Sequence, residues 1–377
     1  MSNRRDFFRY GAMAAGAIAI VPVLGSCDRQ KKAGSAAGAK LSLTFYPYDL
    51  HLKHVFTLAS GSRQTTPVMI VELEYDGVVG YGEASMPPYL GESQETAGKF
   101  LSGLNMSQFR DPFLMGDILD YVEKSAPGNY AAKASVDIAL HDLTGKLMGQ
   151  PWYKMWGYNP DHTPYTSFTI GIDTPDVVRQ KVHEAEPYQV LKVKLGLDTD
   201  KEMIETIRSV SEKPICVDVN QGWKSREHAL EMTHWLNERN VVFVEQPMSK
   251  TDHESHGWLT ERSPLPIVAD EALQTPKDLL GLKGYYSGIN IKLMKCGGMR
   301  AAHAMMNTGR MMGMSVMMGC MTETSCAISA AAQLSPMVDF ADLDGNLLID
   351  NDIFDGVTVV GGKITLNDRP GIGVVKI

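Results

Sequence analysis

From residue 165 onward, short apolar runs recur at intervals of one strand plus one helix. Runs at 167–170, 190–195, 215–219, 241–244, 267–269, 288–291, 315–318 and 338–341 are too short for buried helices and too continuously apolar for strands with one wet face. They predict eight buried parallel strands with helices between them, the last helix being only faintly written. Eight such units fit a closed (β/α)-barrel of the modified TIM type better than an open doubly wound sheet, so the fold class is α/β. Upstream the period changes. Segments 41–46, 68–75 and 78–82 read as antiparallel strands, with Asp76-Gly77 as a hairpin turn. Segment 130–147 carries a helical apolar stripe, Ala134, Ile138, Leu140, Leu143 and Leu147, and stops at Gly149 and Pro151. Residues 41–160 thus predict an α+β capping domain, 161–345 the barrel, and 346–377 a Gly/Val-rich return to the capping domain.

Residues 1–27 follow neither pattern. Arg4-Arg5 precede a Gly/Ala-rich apolar stretch, 11–25, that is short for a membrane span. The pair resembles a twin-arginine export signal, and Leu24-Gly25-Ser26-Cys27 resembles the box at which bacterial lipoproteins are cleaved and acylated. The expectation is an exported protein on the periplasmic side, anchored to the membrane through Cys27, with 28–40 as a flexible tether. A frayed apolar tail is the alternative. The 377 residues are 44% hydrophobic and 21% charged, as in a folded globular chain. A net charge of −8, without a basic block, argues against nucleic acid as a partner. Cys216, Cys296, Cys320 and Cys326 lack metal-type spacing and read as buried free thiols.

The charged residues among the strand runs carry the chemistry. Asp218, Glu245 and Asp270 each follow a buried-strand run, 27 (218 to 245) and 25 (245 to 270) residues apart. Lys194 precedes Asp218 by 24, and Lys292 follows Asp270 by 22. That rhythm places all five at one mouth of the barrel. Three carboxylates there suit one hard divalent cation per subunit, Mg²⁺ or Mn²⁺ rather than zinc. Lys192 and Lys194, two apart on a strand, face the same side. Neighbouring positive charge disfavours the protonated form of Lys194 and prepares it as a base, with Lys292 facing it across the barrel. A proton beside a carboxylate is weakly acidic, and its removal requires stabilisation of the charge that gathers on the carboxylate oxygens. One lysine removes the proton and the other returns it from the opposite face, which inverts the carbon.

Six segments, Lys192-Val193-Lys194, Asp218-Val219-Asn220-Gln221-Gly222-Trp223, Val244-Glu245-Gln246-Pro247, Ala269-Asp270-Glu271, Asn290-Ile291-Lys292 and Gly82-Glu83-Ala84, together resemble the enolase superfamily. The paired lysines resemble its muconate-lactonising subgroup. The resemblance implies an enolase-like fold, Mg²⁺ on Asp218, Glu245 and Asp270, Lys194 and Lys292 as the acid/base pair, and Lys192 supporting the substrate carboxylate. Asp342-Leu343-Asp344, with both acids on one face of the eighth strand, looks like the motif by which dipeptide epimerases hold a free amino terminus. It implies epimerisation of the C-terminal α-carbon of L-Ala-L/D-Xaa, Xaa being Glu or broader, in cell-wall peptide metabolism.

Segments 58–66 and 87–93 correspond to the family's loops over the substrate side chain, with Arg63 the one basic residue of the first. Segment 319–324 resembles the seventh-strand loop and brings Cys320 and Met321 to the substrate. A cycloisomerase or o-succinylbenzoate synthase with the same lysines is the runner-up, and an exported peptide-binding lipoprotein without turnover is the reading from another class. A homo-oligomer stays open. Segment 252–256, with two histidines and two acids, reads as a solvated turn, and the ten methionines between 294 and 321 as core filling.

Overall fold

Three antiparallel strands, β1 (Ser42–Leu58), β2 (Gly61–Tyr75) and β3 (Val78–Ser85), pair in that order. Asp76 and Gly77 turn β2 into β3 with φ of 52° and 77°, the left-handed values of a tight hairpin. The computed structural model describes residues 38–58 and 61–377. The export segment 1–27, with Cys27, and most of the tether lie outside the described residues. The expected loop 58–66 is instead the far end of a β-ribbon. Strand β1 continues past Tyr46, and Phe56 pairs with Arg63 and Leu58 with Gly61. The ribbon runs beyond the core, so residues 51–55 are mostly exposed on both faces and carry no alternation for a sequence pattern to register.

Helix α1 (Gln94–Ser102), α2 (Met115–Ser125) and α3 (Tyr130–Met148) cover this sheet. The predicted stripe on α3 understates its burial, since every residue from Ala131 to Gly145 is buried. The reason lies in β3. A Cβ on Gly82 would fall on the Ser135 carbonyl and one on Gly80 on the Ala139 carbonyl, so only glycines let the helix backbone approach this closely.

Eight parallel strands follow: β4 (Phe168–Ile170), β5 (Leu191–Lys194), β6 (Ile215–Asp218), β7 (Val241–Glu245), β8 (Ile267–Ala269), β9 (Gly288–Lys292), β10 (Ser315–Gly319) and β11 (Phe340–Asp342). They pair in chain order, and a parallel bridge between Thr166 and Ala341 joins the last to the first. All eight lie at the predicted runs. Their bounds differ by a residue or two, and β7, β9 and β11 each run one residue further than predicted because the charged ends Glu245, Lys292 and Asp342 stay inside the ladder. Among the described residues no helix follows β11. Instead the chain returns to the capping domain through β12 (Phe354–Asp355), β13 (Thr358–Val360), β14 (Lys363–Thr365) and β15 (Val375–Lys376). Phe354 packs against Tyr81 with ring centroids 5.3 Å apart, and Lys376 pairs with Glu72 at 2.7 Å.

Segment 252–256 is not a turn. It opens the helix His253–Thr260 with Asp252 as N-cap, and His256 is fully buried with Nδ1 2.7 Å from the Asp252 carbonyl. Met294, Met299, Met305, Met306, Met317 and Met318 fill the core as expected, while Met311 is 89% exposed. Of the four described cysteines, all free, Cys320 alone is only partly buried.

Candidate active site

Strands β5 to β9 end in Lys194, Asp218, Glu245, Ala269 and Lys292, so their C-terminal ends place these charges around one mouth, with Asp270 directly after β8. Carboxylate oxygens of Asp218, Glu245 and Asp270 lie within 4.8 Å of one another. Glu245 Oε1 accepts from Asn290 Nδ2 at 2.6 Å, whereas the buried Oε2 accepts no hydrogen bond, although Lys192 Nζ stands 2.9 Å away. Three converging hard oxygen donors, one of them with an oxygen that accepts no hydrogen bond, suit a hard divalent cation such as Mg²⁺.

The backbone is strained where it leaves these strands. Asn220, Gln221 and Gln246 take φ of 46°, 65° and 39°, values that cost on the order of 1–3 kcal/mol each for a residue with a side chain. The Gln246 amide is what fixes the turn after β7. Its Oε1 accepts from the Asp270 and Ala272 amides at 3.1 and 3.0 Å, and its Nε2 donates to the Met248 carbonyl and the Tyr286 hydroxyl. Thus the residue after one acid positions the next.

Four lysines balance the acids. Lys194 Nζ lies 2.6 Å from Asp218 Oδ2, and Lys292 Nζ 2.8 Å from Asp270 Oδ2. Strands β5 and β9 are four apart in the ring of eight, so these two amines flank the acid triad from opposite sides. Lys192, 1% exposed, sits against Asp342 (2.7 Å), Glu245 (2.9 Å) and Asp218 (3.4 Å). Burial opposes its charge, but the carboxylates of Asp342, Glu245 and Asp218 outweigh that and hold the amine protonated. Burial likewise works against charge on Lys292, and Asp270 overcomes it.

The fourth, Lys295, escaped the sequence reading. One turn after Lys292, on the short helix Leu293–Cys296, it reaches back to bond Asp270 through Oδ1 and, at 2.7 Å, through the backbone carbonyl. Its only signal was a second lysine three residues beyond the first. Two more residues went unassigned. Glu271 lines the mouth, receives Asn220 Nδ2 at 3.3 Å, and is pushed up to about 7 by burial and the charge of Asp270. Thr169 holds Asp344.

Asp342 and Asp344 do not share a strand face as expected. Asp342 ends β11, whereas the ladder stops there because Leu343 N donates to Thr166 Oγ1 at 2.7 Å. Asp342 accepts from Lys192 Nζ and from Ser167 Oγ at 2.8 Å. Asp344 lies in the following turn, where its Oδ2 accepts from Thr169 N at 2.9 Å. Burial, reinforced by the charge of Asp342, raises its carboxyl to about 7. Both still reach one cleft of 230 Å³, together with Arg63, Tyr89, Cys320 and Met321. Arg63 Nη2 donates to Thr322 Oγ1 at 3.1 Å across the ribbon and the seventh-strand loop. Segment 87–93 contributes the 3₁₀ turn Pro88–Leu90, whose Tyr89 hydroxyl is raised to about 12 by burial. The Glu83 carboxylate fastens the capping domain to this mouth by accepting from Thr324 N and Ala327 N at the start of the helix Ser325–Ala332.

A barrel closed by a three-stranded capping domain, with an acid triad between two lysines, defines a class, and comparison with known proteins agrees. Residues 176–375 match the family "Enolase C-terminal domain-like", and residues 44–157 match "Mandelate racemase / muconate lactonizing enzyme, N-terminal domain". The chain belongs to this mandelate racemase/muconate lactonizing enzyme group of the enolase superfamily. It is 60% identical to the L-Ala-D/L-Glu epimerase of Bacteroides thetaiotaomicron over 100% of both chains. It is 39% identical to the L-Ala-D/L-amino acid epimerase of Pedosphaera parvula over 88% of this chain and 97% of that one. The crystal structure of the Enterococcus faecalis dipeptide epimerase with Mg and L-Leu-L-Tyr superposes with a TM-score of 0.84 at 30% identity, covering 89% of this chain and 99% of the other.

Proposed function

We propose that the protein is a Mg²⁺-dependent dipeptide epimerase that inverts the α-carbon of the C-terminal residue in L-Ala-L/D-Xaa, glutamate foremost, within cell-wall peptide metabolism. The observation that carries this reading is the placement of Lys194 and Lys292 on opposite sides of the acid triad. The 60% identity to an L-Ala-D/L-Glu epimerase supports the substrate. Asp218, Glu245 and Asp270 would hold the cation, which would supply positive charge to the substrate carboxylate and leave the lysines free of balancing the triad. Between the two lysines, the neutral amine of one takes the α-proton as the C–H bond breaks, and the ammonium of the other delivers a proton to the opposite face. Lys192, kept protonated, adds fixed positive charge beside the substrate carboxylate. Asp344, with Asp342 behind it, receives the substrate ammonium, a placement that repels the dianionic substrates of a cycloisomerase. Arg63, at the cleft wall, meets a glutamate side chain with opposite charge.

Incubation with L-Ala-L-Glu and Mg²⁺ in D₂O is expected to place deuterium at the glutamate α-carbon of both epimers. Failure to exchange with any L-Ala-Xaa dipeptide would exclude the activity. The pH dependence follows from Asp344. A carboxyl raised to about 7 is ionised above that pH and neutral below it, and only the ionised form attracts an ammonium. KM for L-Ala-L-Glu should therefore rise as pH falls through about 7, and in Asp344→Asn it should be high and flat over the same window. A KM that tracks pH equally in both proteins would remove Asp344 from this role.

The same proposal places the enzyme outside the cytoplasm, anchored through Cys27. Its support is the Arg4-Arg5 pair and the Leu24-Gly25-Ser26-Cys27 box. No helix among the described residues is long and apolar enough to cross a membrane. Fractionation of cells should find the wild type in membranes and Cys27→Ala released from them. A wild type wholly in the cytosol would refute the signal reading.

A further inference from the structure

A second cavity, of 170 Å³, opens beside Asp344 and shares Thr169 and Leu348 with the catalytic cleft. Leu52 and Val55 of β1, Phe168 of β4, and Leu347 and Leu348 of the turn after β11 form its apolar wall. The ribbon and the turn are tied together, since Lys53 N donates to the Leu348 carbonyl at 2.9 Å and Leu347 N to the Asp344 carbonyl at 2.9 Å. The charged groups at the rim are engaged with protein partners. Lys53 Nζ donates to the Leu347 carbonyl at 2.9 Å, Lys181 Nζ pairs with Asp173 at 3.1 Å, and Glu184 accepts from Gln180 at 3.0 Å with His54 3.9 Å away. What the cavity offers an occupant is mainly hydrocarbon.

We infer that this cavity is the subsite for the side chain of the substrate's N-terminal residue, and that it takes a branched aliphatic side chain as well as the methyl of alanine. The inference rests on the epimerase reading and on Asp344 holding the substrate ammonium. A carbon bearing that ammonium would lie next to Asp344, hence near Thr169, which holds Asp344, and Leu348, and those two residues line both the cleft and the cavity. A methyl group leaves most of the space unfilled. An apolar cavity of ~150 Å³ accommodates a molecule the size of benzene, so 170 Å³ is ample for an isobutyl group. Mainly apolar walls also discriminate weakly against extra methylenes, because a hydrophobic pocket rejects them strongly only when it is too small.

The test compares L-Leu-L-Glu with L-Ala-L-Glu in the Mg²⁺-loaded enzyme. The subsite predicts kcat/KM for L-Leu-L-Glu within about tenfold of that for L-Ala-L-Glu, and in Val55→Trp, which narrows the cavity from its exposed rim, a ratio of the two lowered by about tenfold or more. Val55 is 47% exposed, so the variant folds without a core rearrangement. A Leu-to-Ala ratio below about one tenth in the wild type, or a ratio unmoved by Val55→Trp, overturns the subsite while leaving the epimerase standing. Absence of α-deuterium exchange with both dipeptides would instead strike the epimerase reading, and the subsite with it.

Discussion

Lys292→Ala should epimerise L-Ala-L-Glu at least about a thousandfold more slowly than the wild type, and Lys194→Ala should match it, since each removes one of two positioned acid/base groups. That loss is equivalent to about 4 kcal/mol of barrier at ~1.36 kcal/mol per tenfold. The more informative outcome is partial. A variant with one lysine left still removes and returns a proton on the face that lysine occupies, so each variant should exchange the α-hydrogen of one epimer only, and the two variants should differ in which. Measurement of deuterium incorporation into separate L,L and L,D substrates decides it. Exchange of both epimers by either variant would mean that another group serves as the second base. The fold should survive both substitutions, because each acid keeps a second amine: Asp270 retains Lys295, and Asp218 retains Lys192 at 3.4 Å.

Glu245→Gln should separate metal binding from stability. The amide keeps an oxygen for the Asn290 hydrogen bond but removes one of three charges facing the cation. Mg²⁺ at ~100 times its Kd should stabilise the wild type by about 2.7 kcal/mol, and this increment should vanish in the variant along with turnover. Without Mg²⁺ the order should change. Burial, then the charge of Asp218, raises the Glu245 carboxyl above its ordinary value. A carboxyl that binds its proton more tightly folded than unfolded works against folding once the pH exceeds its unfolded value, so at neutral pH removing this charge favours the fold. Metal-free Glu245→Gln should therefore be at least as stable to urea as metal-free wild type. A variant that is less stable without Mg²⁺, yet gains as much from Mg²⁺ as the wild type, would place the cation elsewhere.

Much of this site is legible along the chain, for a local reason. Asp218, Glu245 and Lys292 stand out because a charge directly ending an apolar strand run has only the barrel mouth to occupy, and the run itself is readable in a window of a few residues. Lys192 and Lys194 are readable for the same reason, through the two-residue period of a strand. The β1/β2 ribbon was missed because neither face of its outer part is buried, which erases the only signal a strand gives. Lys295 was missed because its partner, Asp270, is 25 residues away and is reached by a single helical turn that no apolar pattern requires. Asp344 reaches the cleft from a turn and not from a strand face, since β11 ends at Asp342, where the hydrogen bond from Leu343 N to Thr166 Oγ1 takes the chain out of the ladder.

The sequence by itself determined the barrel, its capping domain, the acid triad and the two lysines, because strand period, apolar content and the spacing of one strand plus one helix are properties of neighbouring residues. Only the tertiary structure decided how charge is shared among them. Lys192 is bound to an acid 150 residues away, Glu83 holds a loop 241 residues away, and the mainly apolar cavity near Asp344 has walls from four separate segments. Closing the barrel brings those groups within reach of one another, and electrostatic and packing energies depend on that distance through space rather than along the chain.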